Sequence, residues 1–101
     1  MILHTVNKSP FQQTTLSSCL RLLVPGDVLL LIEDGVYGAT VGHSQEAVVN
    51  KLAELNIRVY ALEGDILARG LTSHLLSTVS LATFDEFVAL SVIADNVHSW
   101  Y

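Results

Sequence analysis

The sequence predicts an α/β fold, a small, doubly wound, mainly parallel sheet of four to five strands with helices on both faces. The main observation is the run Val28–Ile32, five consecutive apolar residues between the turn signal Pro25-Gly26 and Gly35. A strand with one exposed face alternates apolar and polar residues, so an unbroken run of this length is typical of a strand covered on both faces. Strand and helix patterns also alternate along the chain, which is the order that produces parallel sheets.

Periodicity, turn residues and capping residues predict the remaining elements. Thr83 is followed three residues later by Glu86, the pattern of a capping box at the start of the last helix. Ser44 is the expected N-cap of the second helix, and Asn56 its C-cap. In chain order, the sequence predicts strands at Ile2–Val6, Val28–Ile32, Ile57–Leu62 and Thr78–Ala82, helices at Thr15–Leu23, Gln45–Leu55, Ile66–Arg69 and Phe84–Asp95, and an aromatic interface tail at Val97–Tyr101.

The length of 101 residues predicts a single domain over residues 1–101. Half of the residues are hydrophobic and only 15% are charged. No apolar run approaches the ~20 residues that span a bilayer, and the start lacks the basic region of a secretory signal, so we expect no membrane segment. Surplus apolar surface is most simply covered in a protein–protein interface, so we expect an oligomer.

The net charge of −5 predicts that the chain does not bind nucleic acid directly. The single cysteine, Cys19, excludes an internal disulfide and a multi-cysteine zinc site, and it fits the reducing cytoplasm. Neither nucleotide-binding glycine pattern is present, so no cofactor is predicted. The five basic residues are scattered rather than clustered: Lys8, Arg21, Lys51, Arg58 and Arg69.

Cys19 is the only soft nucleophile, and it has two interpretations. As an exposed thiolate it could carry sulfur as a persulfide, which requires a lowered pKa from a nearby cation or a helix N-terminus. As a buried residue it would act as a small hydrophobic side chain. The second interpretation is favoured because Cys19 shares one helical stripe with Leu16, Leu20 and Leu23.

Acidic residues follow two predicted parallel strands, Glu33 and Asp34 after one and Glu63 and Asp65 after the next. They should therefore lie at the same edge of the sheet, where paired carboxylates could serve acid–base chemistry or bind a cation. The alternative is that Asp34 shapes a turn and Asp65 caps the short helix. His4 could approach the same loops or be hydrogen-bonded at the sheet edge, and the spacing of the four histidines predicts no metal site.

Four segments together resemble the DsrH/TusB family over essentially the whole chain: Leu3–Phe11, Glu33–Tyr37, Tyr60–Leu71 and the closing Ser99-Trp100. The resemblance implies the DsrE-like fold. It also implies a small cytoplasmic subunit of a three-protein complex, DsrEFH or TusBCD, assembled as a dimer of heterotrimers that relays persulfide sulfur. In one branch the sulfur moves toward the 2-thiouridine of tRNA wobble positions, and the other branch serves dissimilatory sulfur oxidation.

By the same resemblance, the main sulfur-carrying cysteine belongs to the DsrE or TusD subunit, in a strand-to-helix loop similar to Leu62–Asp65. No cysteine is present in that loop here, which predicts an auxiliary subunit that is not an enzyme by itself. The alternative is a sulfurtransferase acting through Cys19, a cysteine position that favours the oxidation branch. The surfaces expected to meet DsrE/TusD-like and DsrF/TusC-like partners, or further copies of the chain, are the last helix and His4, Asn7, Lys8, Glu33, Asp34, Tyr37, Glu63, Asp65 and Trp100.

Overall fold

A five-stranded sheet forms the centre of the computed structural model, which describes residues 1–101. The strand order is β4-β3-β2-β1-β5, and every pair of neighbouring strands is parallel. Parallel neighbours need a crossover connection, and here a helix lies in each one. The strands are β1 (Ile2–Val6), β2 (Val28–Leu31), β3 (Arg58–Leu62), β4 (Ser80–Ala82) and β5 (Asn96–Trp100).

Helices cover both faces of this sheet. The larger core cluster joins one face to the first three helices, and the smaller cluster joins the other face to the last helix. The predicted α/β fold with helices on both faces is therefore confirmed. The helices are α1 (Thr15–Leu20), α2 (Glu46–Lys51), α3 (Glu63–Ala68) and α4 (Phe84–Ile93), and 3-10 helices span Glu33–Ala39, Leu52–Leu55 and Thr72–His74.

The apolar run that predicted the fold contributes to both cores. Leu29 and Leu31 belong to the larger cluster, whereas Val28 and Leu30 belong to the smaller one. All four side chains have no exposed surface. A strand whose successive side chains point to opposite faces can bury all of them only when both faces are covered, so the run has the environment that its lack of alternation predicted.

Several predicted boundaries were wrong. The first helix ends at Leu20 rather than Leu23, because the N–H of Leu22 bonds to the carbonyl of Cys19 and tightens the chain into a turn. Ser44 is not a side-chain cap; the N-cap of α2 is Gln45, which makes no capping bond. The predicted second helix divides into α2 and the 3-10 helix that follows it. Asn56 ends that segment in the left-handed conformation, with φ of 59°, as predicted.

The largest difference concerns the tail. Residues predicted to form an aromatic tail instead form β5, which pairs with β1 from Ile2↔Asn96 to Val6↔Trp100. Only Trp100 in this strand is partly buried, and the other four residues are exposed. A strand at the edge of a sheet with so little burial lacks the apolar run by which the central strands were recognised.

None of the helices combines the length and the apolarity that a membrane crossing requires.

Candidate functional site

The predicted loop after β2 is a 3-10 helix that packs directly on the end of β1. The N–H of Ile32 bonds to the carbonyl of Val6 at 3.0 Å, and the N–H of Gly35 bonds to the carbonyl of Ile32 at 2.8 Å. A Cβ atom at Gly35 would lie 1.9 Å from the Val6 carbonyl oxygen. The absence of a side chain at Gly35 is therefore what allows the acidic segment to lie against the carboxyl edge of the sheet.

The acidic residues at this edge meet, but a cation already lies between them. Arg69 donates to Asp34 Oδ1 from Nε and Nη2, at 3.1 and 3.0 Å. Its Nη1 also lies 3.6 Å from Asp65 Oδ1. Asp65 is not the helix cap that one interpretation predicted, because its Oδ2 accepts a 2.7 Å hydrogen bond from the backbone N–H of Glu33 and so joins α3 to the 3-10 helix.

This arrangement stabilises the strand-end loops and leaves little capacity for other chemistry. The guanidinium of Arg69 engages both carboxylates, and the second oxygen of Asp65 accepts from the Glu33 N–H, so these groups already have partners within the protein. No group of three or more histidine, cysteine, aspartate or glutamate side chains is close enough to hold a metal ion. Glu63 and Lys8 are exposed, and Glu63 lies in the first turn of α3.

Beside this cluster, aromatic residues line an open depression with Asp34 and Ser9. The ring of Phe11 meets Tyr37 edge-on, with centroids 6.4 Å apart. Phe11 is 55% exposed, so the ring that lines this depression is open to solvent. The predicted Asn7 is half-buried nearby in sequence, and its Oδ1 is buried without a hydrogen-bond partner.

Cys19 lies in the larger core cluster, with no exposed surface. Burial, with a further contribution from the negative charge of Asp27, raises the pKa of its thiol to about 12. A thiol in this environment is protonated at neutral pH and has no access to a reaction partner. The structure therefore places Cys19 apart from the strand-end cluster, and in the surroundings expected of a structural cysteine.

His4 and Trp100, predicted as separate surface residues, contact each other instead. Trp100 Nε1 donates to His4 Nδ1 at 3.1 Å, and His4 Nε2 lies 3.1 Å from Asp27 Oδ2. His4 is hydrogen-bonded, as one interpretation predicted. It is 3% exposed and lies in an interior strand, so its predicted positions at the sheet edge or near the strand-end loops were wrong. The exposed ring of His98 stacks on Trp100 with centroids 4.4 Å apart.

Asp27 is the most consequential residue that the sequence analysis did not identify. It is 4% exposed and accepts hydrogen bonds from the N–H groups of Ile2 and Val24 in addition to His4. Burial alone would raise the pKa of this carboxyl group, but the hydrogen bonds outweigh burial and hold the pKa below its usual value. Its position next to Pro25-Gly26 indicated only a turn. Arg69 was missed although its i,i+4 spacing from Asp65 is a recognisable signal for an ion pair, and His98 was missed because its strand was not predicted.

A second surface is exposed and apolar. None of the residues of α4 is buried, although the helix packs against the smaller core cluster through Phe87, Leu90 and Ala94. The capping box predicted at its start is present, with Thr83 accepting from the Glu86 N–H and Glu86 accepting from the Thr83 N–H. The large apolar side chains of α4 that remain exposed are Phe84 (66%), Val88 (45%), Val92 (77%) and Ile93 (68%).

The sequence matches a known protein family and several of its members. A family model described as DsrH like protein matches residues 8–97. The chain is 38% identical over 99 residues to Protein TusB of Escherichia coli K12, a match that covers 98% of this chain and all of the relative. It has the same identity and coverage with Protein TusB of Shigella flexneri.

Solved structures agree on the fold. The crystal structure of the ychN protein from E. coli superposes with a TM-score of 0.84 at 23% identity, covering 97% of both chains. Protein Tm0979 from Thermotoga maritima superposes with a TM-score of 0.63 at 27% identity, covering 89% of this chain and 90% of that one. The DsrE-like fold implied by the sequence resemblance is confirmed. Since the family model and the relatives cover nearly all of the sequence, the chain belongs to the DsrH/TusB family.

Proposed function

We propose that this chain is an auxiliary subunit of a cytoplasmic sulfur-relay complex, in which related subunits carry the persulfide and this one supports their assembly. Residues 1–101 would act as one DsrE-like domain. The relatives named TusB favour the branch that leads to 2-thiolation of the tRNA wobble uridine, rather than the sulfur-oxidation branch. Partners would be DsrE/TusD-like and DsrF/TusC-like chains, with two heterotrimers in the assembly.

The observation that supports an auxiliary role most directly is the state of the single cysteine. The chain enters α3 at Glu63 immediately after β3 and has no cysteine at that turn. Cys19 is enclosed, and with its pKa raised to about 12 the thiol is protonated at neutral pH. Persulfide transfer begins with attack by a thiolate, so neither position offers the required nucleophile.

The exposed side chains of α4 supply the second argument. Val92 and Ile93 lie near the end of the helix and are each more than two-thirds exposed. Charged residues are depleted in the centre of protein interfaces, and aromatic residues are enriched there. The exposed side of α4 meets this description because its acidic residues, Asp85 and Glu86, lie only in the first turn.

Assembly can be tested by size-exclusion chromatography with light scattering on the chain mixed with DsrE/TusD-like and DsrF/TusC-like proteins. We expect a hetero-oligomer that Val92→Glu disrupts, because the new carboxylate would be desolvated in the interface. Leu22→Glu is the matched control, since Leu22 is 60% exposed on the segment after α1 and lies away from α4. A chain that stays monomeric with both partners would refute the proposal.

The alternative, that Cys19 itself carries sulfur, has its own test. The folded protein is incubated with a persulfide donor and analysed by intact-mass spectrometry for adducts of about 32 Da, one sulfur atom each. We expect no adduct on the folded chain, because the thiol is enclosed and protonated, and modification only after denaturation. A persulfide on native Cys19 that passes to a partner subunit would establish the sulfurtransferase role instead.

A further inference from the structure

The C-terminal strand is held at its far end by one side chain. The first four residues of β5 are exposed. Trp100, the fifth, is partly buried and packs against the larger core cluster. At the start of the strand, the Met1 amino group pairs with the exposed Asp95, and the Asp95 N–H bonds to the Met1 carbonyl. Apart from the backbone pairing with β1 and the stacking of the exposed His98 on His4, Trp100 is therefore the side chain that attaches β5 to the core.

The bond that fixes Trp100 requires one protonation state of His4. An indole N–H can only donate, so the His4 Nδ1 that faces it at 3.1 Å must be an unprotonated acceptor. The ring proton is then on Nε2, which donates to Asp27 Oδ2. Asp27 is negatively charged at neutral pH because its hydrogen bonds hold its pKa below the usual value despite burial. The three side chains form a directed series in which Trp100 donates to His4 and His4 donates to Asp27.

We propose that the series Trp100–His4–Asp27 is a pH-sensitive latch that holds β5 to β1 and opens when His4 takes up a second proton. An imidazolium ion is a donor at both nitrogens, so Nδ1–H would face the indole N–H and their hydrogen bond would be lost. The same proton strengthens the bond to Asp27, which becomes charge-assisted. Protonation therefore holds His4 toward Asp27 while it releases the strand on the other side.

No other titratable group around His4 would break the bond between His4 and Trp100 in its place. His98 on β5 stacks over His4 and Trp100, with ring centroids 5.7 Å and 4.4 Å away, and its protonation would add repulsion to a charged His4. On α1 the only titratable side chain is the buried Cys19, which is neutral; Arg21 at the end of that helix is exposed. Asp95 and the Met1 amino group neutralise each other, β2 carries no ionisable side chain, and α4 lies on the opposite face of the sheet.

The first test uses the unmodified protein. Nitrogen-15 NMR of the His4 ring reports which nitrogen carries the proton, and we expect Nε2–H at about pH 8, the tautomer that the bonds to Trp100 and Asp27 require. Amide exchange is followed in the same sample, with rates corrected for intrinsic exchange. As the pH is lowered and the ring nitrogen signals show His4 taking up its second proton, protection of the amides of Asn96–Trp100 should fall roughly three- to thirtyfold, the scale of one buried hydrogen bond, while β2 amides keep theirs.

Two variants separate the latch from general acid sensitivity. Trp100→Phe keeps an aromatic ring but removes the donor, so β5 protection should already be low at about pH 8 and should no longer respond to His4 protonation. His98→Gln removes the other imidazole on the strand and with it the added repulsion, so β5 protection should still fall when His4 takes up its second proton, but by less than in the wild type. A protonated Nδ1 at about pH 8, unchanged β5 protection across the His4 titration, or a full pH response in Trp100→Phe would each overturn the proposal.

Discussion

At the scale of single residues, Asp27 organises the polar part of the core. Its Oδ2 accepts from both Val24 N–H and His4 Nε2, and its Oδ1 accepts from Ile2 N–H. Both oxygens are therefore needed as acceptors. An amide in place of the carboxylate would set its NH2 group against at least one of these donors and leave a buried polar group without a partner.

Asp27→Asn should therefore lower the free energy of unfolding by about 2–4 kcal/mol at neutral pH. Because the pKa of Asp27 is lower in the folded than in the unfolded protein, its ionisation stabilises the fold above the unfolded pKa of about 3.9. This contribution is lost as the pH falls through the folded pKa. Urea unfolding of both proteins should show a difference that is largest above about pH 5 and that narrows below about pH 4. A difference independent of pH would mean that the charge of Asp27 is not the cause.

The contacts between individual side chains were the part of the site that the sequence predicted least well. The order of strands correctly placed Asp34 and Asp65 at one sheet edge, since this follows from parallel topology. The i,i+4 spacing could have linked Arg69 to Asp65, but its contact with Asp34 joins positions 35 residues apart and has no local signal. Cys19 was different, since its helical stripe is a local pattern and the structure shows it in the core.

At the scale of elements, the 3-10 helix Glu33–Ala39 and the end of β1 are fitted to each other through Gly35. The backbone of β1 has no freedom to move away, because Val6 is fully buried and its strand is paired on both sides. A methyl group at position 35 would meet the backbone of Val6, so rotating a neighbouring side chain cannot make room for it. The segment carrying Asp34 would have to shift as a whole.

Gly35→Ala should destabilise the protein by about 3 kcal/mol or more, by overpacking against a backbone carbonyl. Gly64→Ala is the matched control: Gly64 lies in α3, and a Cβ there meets nothing within 4 Å. This control should be neutral or stabilising by up to about 1 kcal/mol, because alanine favours the helix. Thermal unfolding followed by circular dichroism would measure both. If the two changes altered stability equally, the close packing of Gly35 against the Val6 carbonyl would be contradicted.

Elements with a strong local signal were predicted well, and those defined by distant contacts were not. The apolar run of β2 and the capping box of α4 depend on neighbouring residues, and both are present. The boundary of α1 depends on how the chain turns toward Asp27, which periodicity does not encode. β5 depends almost wholly on its pairing with β1, because its exposed residues carry little hydrophobic pattern.

At the scale of the whole molecule, burial is distributed unevenly across the sheet. β2 lies at the centre with all four residues fully buried, whereas β5 lies at an edge and is mostly exposed. Local opening has a low free energy where few apolar contacts must be broken. The sheet should therefore open from the β5 side.

Native-state hydrogen exchange tests this order. We expect amides of Leu29–Leu31 to exchange only through global unfolding, and amides of Asn96–Trp100 to exchange roughly 100-fold faster or more, through local opening. Added denaturant should accelerate the first group strongly and the second group weakly. Identical rates and denaturant sensitivities in the two strands would show that β5 is part of one cooperative unit with the centre.

The pairing of β5 with β1 also matters during synthesis. β1 and β2 come first in chain order, whereas Asn96–Trp100, which pairs with the other side of β1, is translated only after β3, β4 and α4. Contacts between such distant parts of a chain form late, and the unpaired edge of a strand can associate with other nascent chains. Asp27 is translated long before Trp100, so the indole–imidazole bond can form only once the strand that completes the sheet is present.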